Sequence, residues 1–189
     1  MKTWEKKITL FFKLVISLLL FMSFNAYGQV IRMSVEDLAR ESKTILVGQC
    51  TKVESAWDEN HDRIYTEVRV MAEDYLKGNE GQELTITVPG GRVGNIIYEV
   101  SDMPAFAPGD QFVAFITKHP SGKNLVTGAL QGKLTIREDP QTGHRTVLRP
   151  PSEPASQNKS FQIFDESERR TEKVRLDDFI KEVKGYIDQ

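Results

Sequence analysis

Ile64-Tyr65-Thr66-Glu67-Val68-Arg69-Val70-Met71-Ala72 decides the fold. Ile64, Thr66, Val68, Val70 and Ala72 alternate with Tyr65, Glu67, Arg69 and Glu73, and a period of two marks a strand with one face buried. Upstream, Thr44 to Val53 (TILVGQCTKV) is equally β-rich, and Gly48 within it predicts a bulge or bend of the kind barrel corners need. The polar stretch Asp58–Arg63 joins these two strands as a hairpin. Downstream, Tyr75-Leu76-Lys77-Gly78-Asn79 reads as a turn. Leu84, Ile86 and Val88 then alternate with Thr85 and Thr87 until Pro89-Gly90-Gly91 breaks the strand.

The next residues, 92–110, form a long connection punctuated by Pro104, Pro108 and Gly109, with a short strand over Asn95–Val100. Phe112-Val113-Ala114-Phe115-Ile116 is apolar at every position, as a strand covered on both faces must be. Leu125–Leu130 and Lys133–Arg137 read as two further strands hinged at Gln131-Gly132, and Thr146-Val147-Leu148 as an edge strand.

Helical periodicity is confined to the ends. Over residues 33–42, Ser34 is a good N-cap, Asp37 stands three positions later, Met33 can staple against Leu38, and Val35, Leu38 and Ala39 share a face. Pro150-Pro151-Ser152-Glu153-Pro154 opens a polar linker that runs to residue 174. Leu176, Phe179, Ile180, Val183 and Ile187 then recur at helical spacing, with Asp177 and Asp178 where the helix dipole favours acids. The expected fold is mainly β. It is a small antiparallel OB-like barrel of five or six strands within residues 29–149, with a short N-terminal helix and a C-terminal amphipathic helix in residues 175–189 packed on the barrel.

Residues 1–28 read as a signal peptide. Lys2, Lys6, Lys7 and Lys13 form a basic region, Leu14 to Met22 is apolar but short for a bilayer span, and Ala26-Tyr27-Gly28 places small residues at the −3 and −1 positions. Cleavage after Gly28 would leave Gln29 first; the alternative is an uncleaved anchor. The 189 residues hold 25 basic and 27 acidic side chains, 39% hydrophobic residues and one cysteine. Loss of the leader removes four lysines and Glu5 and leaves a charge of about −5, which argues against nucleic acid as a partner. The expected address is secreted or periplasmic, with no stable membrane span after cleavage. One cysteine cannot pair within the chain, and Cys50, set in a β-rich run, reads as a small buried hydrophobe.

No catalytic signature stands out. His61, His119 and His144 fall in turns or loops without the close His/Cys spacing of a zinc site. Asp58-Glu59-Asn60-His61-Asp62 imitates a calcium loop, but Arg63 stands where glycine is required and Arg69 where the bidentate glutamate should be. Gly90-Gly91-Arg92-Val93-Gly94 follows a strand, yet strand-like residues come after it, where a phosphate loop should open a helix. There is no Gly-x-Ser-x-Gly elbow. Trp57 and Tyr65 could form a rim aromatic pair that stacks on a sugar or anchors a protein, or Trp57 could plug one barrel end.

Val47-Gly48, Trp57-Asp58, Tyr65-Thr66, Leu76-Lys77-Gly78, Pro89-Gly90-Gly91 and Gln131-Gly132-Lys133 together resemble an uncharacterised family of exported bacterial β-barrel domains, over residues 44–137. The resemblance implies secretion and a β fold. More distantly, the strand order is similar to the netrin-like, OB-type domain of tissue inhibitors of metalloproteinases. Their N-terminal cysteine and disulfides have no counterpart here, so that inhibitory mechanism does not carry over.

The expected function is an exported, non-catalytic binding or protein-interaction module whose partner is a protein or glycan of the cell envelope. Trp57, Tyr65 and Arg92 are the candidate binding residues, with the Gly90–Asn95 loop. A small-ligand or glycan binder, or a hydrolase whose site is assembled from distant residues, are the alternatives. No metal or cofactor is expected.

Overall fold

The computed structural model describes residues 32–149 and 172–188. The leader 1–28 and the stretch 150–171 lie outside the described residues. The body begins at Met33 and enters helix α1 (Val35–Glu41) through a capping box, in which Ser34 Oγ accepts the Asp37 amide at 3.1 Å and the Asp37 carboxylate accepts the Ser34 amide at 3.0 Å. Strands β1 (Thr44–Trp57), β2 (Ile64–Lys77) and β3 (Glu83–Pro89) follow as a meander. A small hairpin, β4 (Gly91–Val93) and β5 (Ile96–Tyr98), stands apart from the main sheet. Next come β6 (Gln111–Lys118), β7 (Asn124–Val126), a 3-10 turn (Ala129–Gly132), β8 (Lys133–Glu138), β9 (Arg145–Arg149), β10 (Glu172–Arg175) and helix α2 (Leu176–Ile187).

The order β1-β2-β3-β7-β6 returns to β1 through a β1–β6 ladder, which closes a five-strand barrel of the expected OB-like kind. One contact departs from the antiparallel expectation. β3 and β7 run parallel and meet at a single register pair, Ile86 with Asn124. The reason is parity: an odd number of strands cannot alternate direction all the way round a ring.

β6 and the first five residues of β1 are buried on both sides, which is why Phe112–Ile116 is apolar at every position. Phe112, Ala114 and Ile116 join Leu46, Cys50, Val68, Val70, Leu84, Ile86 and Val88 inside the barrel. Val113 and Phe115, on the opposite parity, join Ile45 and Val47 in an outer core closed by Leu38 of α1, Leu134 and Ile136 of β8, Val147 of β9, and Leu176, Phe179 and Val183 of α2. Each of these large side chains contributes about 1.5–3 kcal/mol by leaving water. A polar group at Phe115 would strip the outer core of its centre. At Gly48 the β1–β2 register slips, as expected. An added Cβ would stand 2.7 Å from the Met71 carbonyl oxygen, so only glycine lets the strand bend there.

Two elements differ from their sequence reading. Leu125–Leu130 is not one strand, because Gly128 and Ala129 adopt φ of 66° and 54° and turn the chain into the 3-10 segment. The linker does not reach residue 174: Glu172–Arg175 pairs with β9 as β10, so β9 is covered and is not an edge. A short, charged strand such as Glu-Lys-Val-Arg has only Val174 to mark it, too little for a periodic signal.

Candidate binding surface

The β1–β2 register decides how the candidate aromatics stand. Trp57 pairs with Ile64, and Ala56 with Tyr65. Cross-strand partners share a face and neighbours alternate, so Trp57 and Tyr65 lie on opposite faces of the ribbon and form no aromatic pair. Trp57 is half-buried and stacks with His61, ring centroids 6.3 Å apart at 17°. Tyr65 is half-buried on the outer face of the sheet, where Lys123 Nζ sits 4.6 Å over its ring. That cation occupies one ring face, which a stacking sugar would need.

Arg92 is exposed on β4, opposite Ile97 of β5. This hairpin is mounted on the same face of the ribbon as Trp57, through glycine. The Gly90 amide donates to the Ile64 carbonyl at 2.9 Å, and the Gly90 carbonyl accepts from Thr66 Oγ1 at 2.7 Å. Ser55 Oγ and Thr66 Oγ1 are 2.9 Å apart, and both hydroxyls occupy the space that a Cβ on Gly91 would fill. Only a residue without a side chain can lie this close to them. The β4–β5 arm therefore rests directly on Ser55 and Thr66, two residues along from Trp57.

The arm turns at Gly94-Asn95, with Gly94 at φ 59°, the first position of a type II′ turn. Beyond it, Ile96 is 53% exposed, Ile97 51% and Tyr98 39%. Consecutive strand residues point to opposite sides, so both faces of the arm are uncovered. The strand expected over Asn95–Val100 is present as Ile96–Tyr98, but its exposure has no counterpart in the sequence pattern. The available signal was three large apolar residues beside a two-residue Gly-Asn turn, in a long connection whose other residues carry proline and glycine breaks and no periodic element to cover them.

The chain leaving the arm closes the barrel end. Met103 and Phe106 pack against the inner core, and the Phe106 ring meets Phe112 edge-on at 5.1 Å. The aromatic plug is thus Phe106, not Trp57. Lys133 pins it: its Nζ donates to the Ala105 carbonyl at 2.6 Å and to Asp110 Oδ2 at 2.9 Å, and lies 4.5 Å from the Phe106 ring centroid. Burial pushes the Asp110 pKa up, but the Lys133 hydrogen bond, the Ala107 amide and the Lys133 charge outweigh it and hold the carboxyl below its usual range. Cys50 lies beneath, where burial first and the Asp110 charge second raise its thiol. A neutral, enclosed thiol is inert.

The remaining loops are occupied with their own turns. Asp58 accepts the amides of Asp62 at 2.8 Å and Arg63 at 3.2 Å and so closes the β1–β2 tip. Partial desolvation raises this carboxyl, yet the two amides and the Arg63 and His61 charges outweigh it and leave it lowered. His119 Nδ1 is 2.8 Å from Ser121 Oγ within the β6–β7 loop, and His144 lies in the β8–β9 loop. Among the described residues no group of three or more His, Cys, Asp or Glu converges.

The sequence motifs acquire structural roles. Lys77 Nζ caps α1 through the Ala39 and Arg40 carbonyls at 2.7 and 3.2 Å. Gly78 adopts φ 67° beside the Lys43 carbonyl. Gln131 Oε1 accepts the Met33 amide at 2.9 Å. Gly132 leaves no room for a Cβ against the Thr127 carbonyl. These motifs build bends, caps and a plug. No helix among the described residues is long and apolar enough to cross a membrane. No family model and no curated protein matches the chain.

Proposed function

We propose that this chain is an exported, non-catalytic protein-interaction module of the cell envelope, and that the β4–β5 arm is its contact surface. The observation that carries the reading is the exposure of Ile96, Ile97 and Tyr98 on an arm that glycines seat firmly on the barrel. Single exposed apolar residues are ordinary, but a contiguous run of them on one element marks a contact site. Trp57 at the base and Arg92 on the arm belong to residue types that anchor interfaces. Export rests on the basic, apolar leader with small residues at the −3 and −1 positions before Gln29. The family resemblance of residues 44–137 supports the same address.

The test is affinity capture of the exported protein in its native envelope fraction, run in parallel with a Tyr98→Ser/Ile96→Ser variant and with Trp57→Ala. Loss of the same retained species in the arm variant, with unchanged thermal unfolding, supports the proposal. Equal retention by all three proteins refutes it.

A further inference from the structure

We propose that the arm's occupant is a second copy of this chain, joined by antiparallel pairing of β5 with β5 across a two-fold axis at Ile97. The inference rests on the reading of the arm as a contact surface and names what covers it.

The backbone carries the first argument. With a two-residue turn, Val93 and Ile96 form the hydrogen-bonded pair next to the loop, so Arg92 and Ile97 form a non-hydrogen-bonded pair. The N–H and C=O of Ile97 therefore point away from β4. Among the described residues no other backbone group bonds to Ile96, Ile97 or Tyr98. Natural sheets guard such edges with charge, proline or a bulge. β10, the last strand of the main sheet, carries Glu172, Lys173 and Arg175, and β1 carries Lys52 and Glu54 beyond its ladder with β6. β5 carries none of these devices.

The register carries the second argument, because the edge is complementary to itself. A two-fold axis at Ile97 sets Ile97 against Ile97 and sets Ile96 against Tyr98 twice, so every pair along the three-residue strand is apolar. An aromatic facing a β-branched residue is a favourable cross-strand pair. On the face that carries Arg92 and Ile97, Glu99 of one copy falls opposite the neutral Asn95 of the other. No like charges meet, and each arm brings one Arg92 and one Glu99 of opposite sign. The contact is isologous and closes as a dimer without propagating. Three-residue strands bury less than a standard interface of about 1,600 Å², so the dimer is weak and concentration-dependent.

Sedimentation equilibrium of the exported protein, from low micromolar to near millimolar, should show a reversible monomer–dimer transition. Ile97→Lys should abolish it without changing thermal unfolding. Cysteine reporters read the register. In the dimer the two Ile97 Cα atoms form a hydrogen-bonded antiparallel pair about 5.5 Å apart, within disulfide reach. Ile97→Cys should therefore give a covalent dimer under mild oxidation, and Asn95→Cys should not. Buried Cys50 does not compete. If Ile97→Lys disturbs the arm, the cysteine pair still decides. A chain that stays monomeric near millimolar, equal cross-linking at both positions, or a dimer that survives Ile97→Lys overturns the pairing. A monomer whose arm variants still lose an envelope partner refutes the pairing and leaves the contact-surface reading in place.

Discussion

Replacing Lys133 by methionine keeps the aliphatic stem and deletes one ammonium, and the structure sets the cost. The deletion removes a 2.6 Å hydrogen bond to the Ala105 carbonyl, a 2.9 Å charge-assisted bond to Asp110, and the cation over Phe106. Removing one partner of a fully desolvated pair costs about 3–5 kcal/mol. Here the Lys133 side chain is 9% exposed but that of Asp110 is 37% exposed, so water screens the orphaned carboxylate and the expected loss falls to about 2–3 kcal/mol. For a body of this size that is a fall in Tm of roughly 4–12 °C. The assay is denaturant and thermal unfolding of wild type, Lys133→Met, Asp110→Asn and the double variant. The two losses should couple by about 1 kcal/mol or more. Additive losses, or a Lys133→Met loss below about 0.5 kcal/mol, would refute the claim that this lysine pins the barrel plug.

Because the Asp110 carboxyl is lowered in the folded state, its contribution is present above the unfolded carboxylate pKa and disappears as pH falls through the lower folded value. Asp110→Asn should flatten that acid limb, and identical acid limbs in the two proteins would count against it. Gly91→Ala forces a Cβ onto the Ser55 and Thr66 hydroxyls and should cost about 2–3 kcal/mol, whereas Gly94→Ala, strained in φ but facing open space, should cost about 1 kcal/mol. Equal unfolding midpoints for the two variants would contradict this account of the mount. Arg149 is buried and bonds Glu172 at 3.0 Å and Glu182 at 2.6 Å, tying β9 to β10 and α2. Arg149→Met should cost about 2–4 kcal/mol and speed hydrogen exchange over 172–188 before β1, and uniform exchange would refute a local clamp.

Much of the barrel is legible in the sequence because its signals are local. The alternation of Ile64–Ala72, the two-sided run Phe112–Ile116, the break at Pro89-Gly90-Gly91 and the Ser34/Asp37 box each require only a few consecutive residues. Strand identity follows from side-chain period, and period is a property of neighbours along the chain.

The surface is different. Trp57 and Tyr65 read as one aromatic pair, yet the register separates them, because a one-residue offset between strands reverses the face. Lys133 is one lysine among many in the sequence. Its role exists only because β8 carries it beneath Phe106 and beside Asp110, more than twenty residues away in the chain. The exposure of Ile96, Ile97 and Tyr98 depends on what fails to cover them, and coverage is settled by the packing of elements distant in sequence. Local composition determined the strands, the caps and the bends; tertiary contact alone decided which side chains meet and which are left facing water.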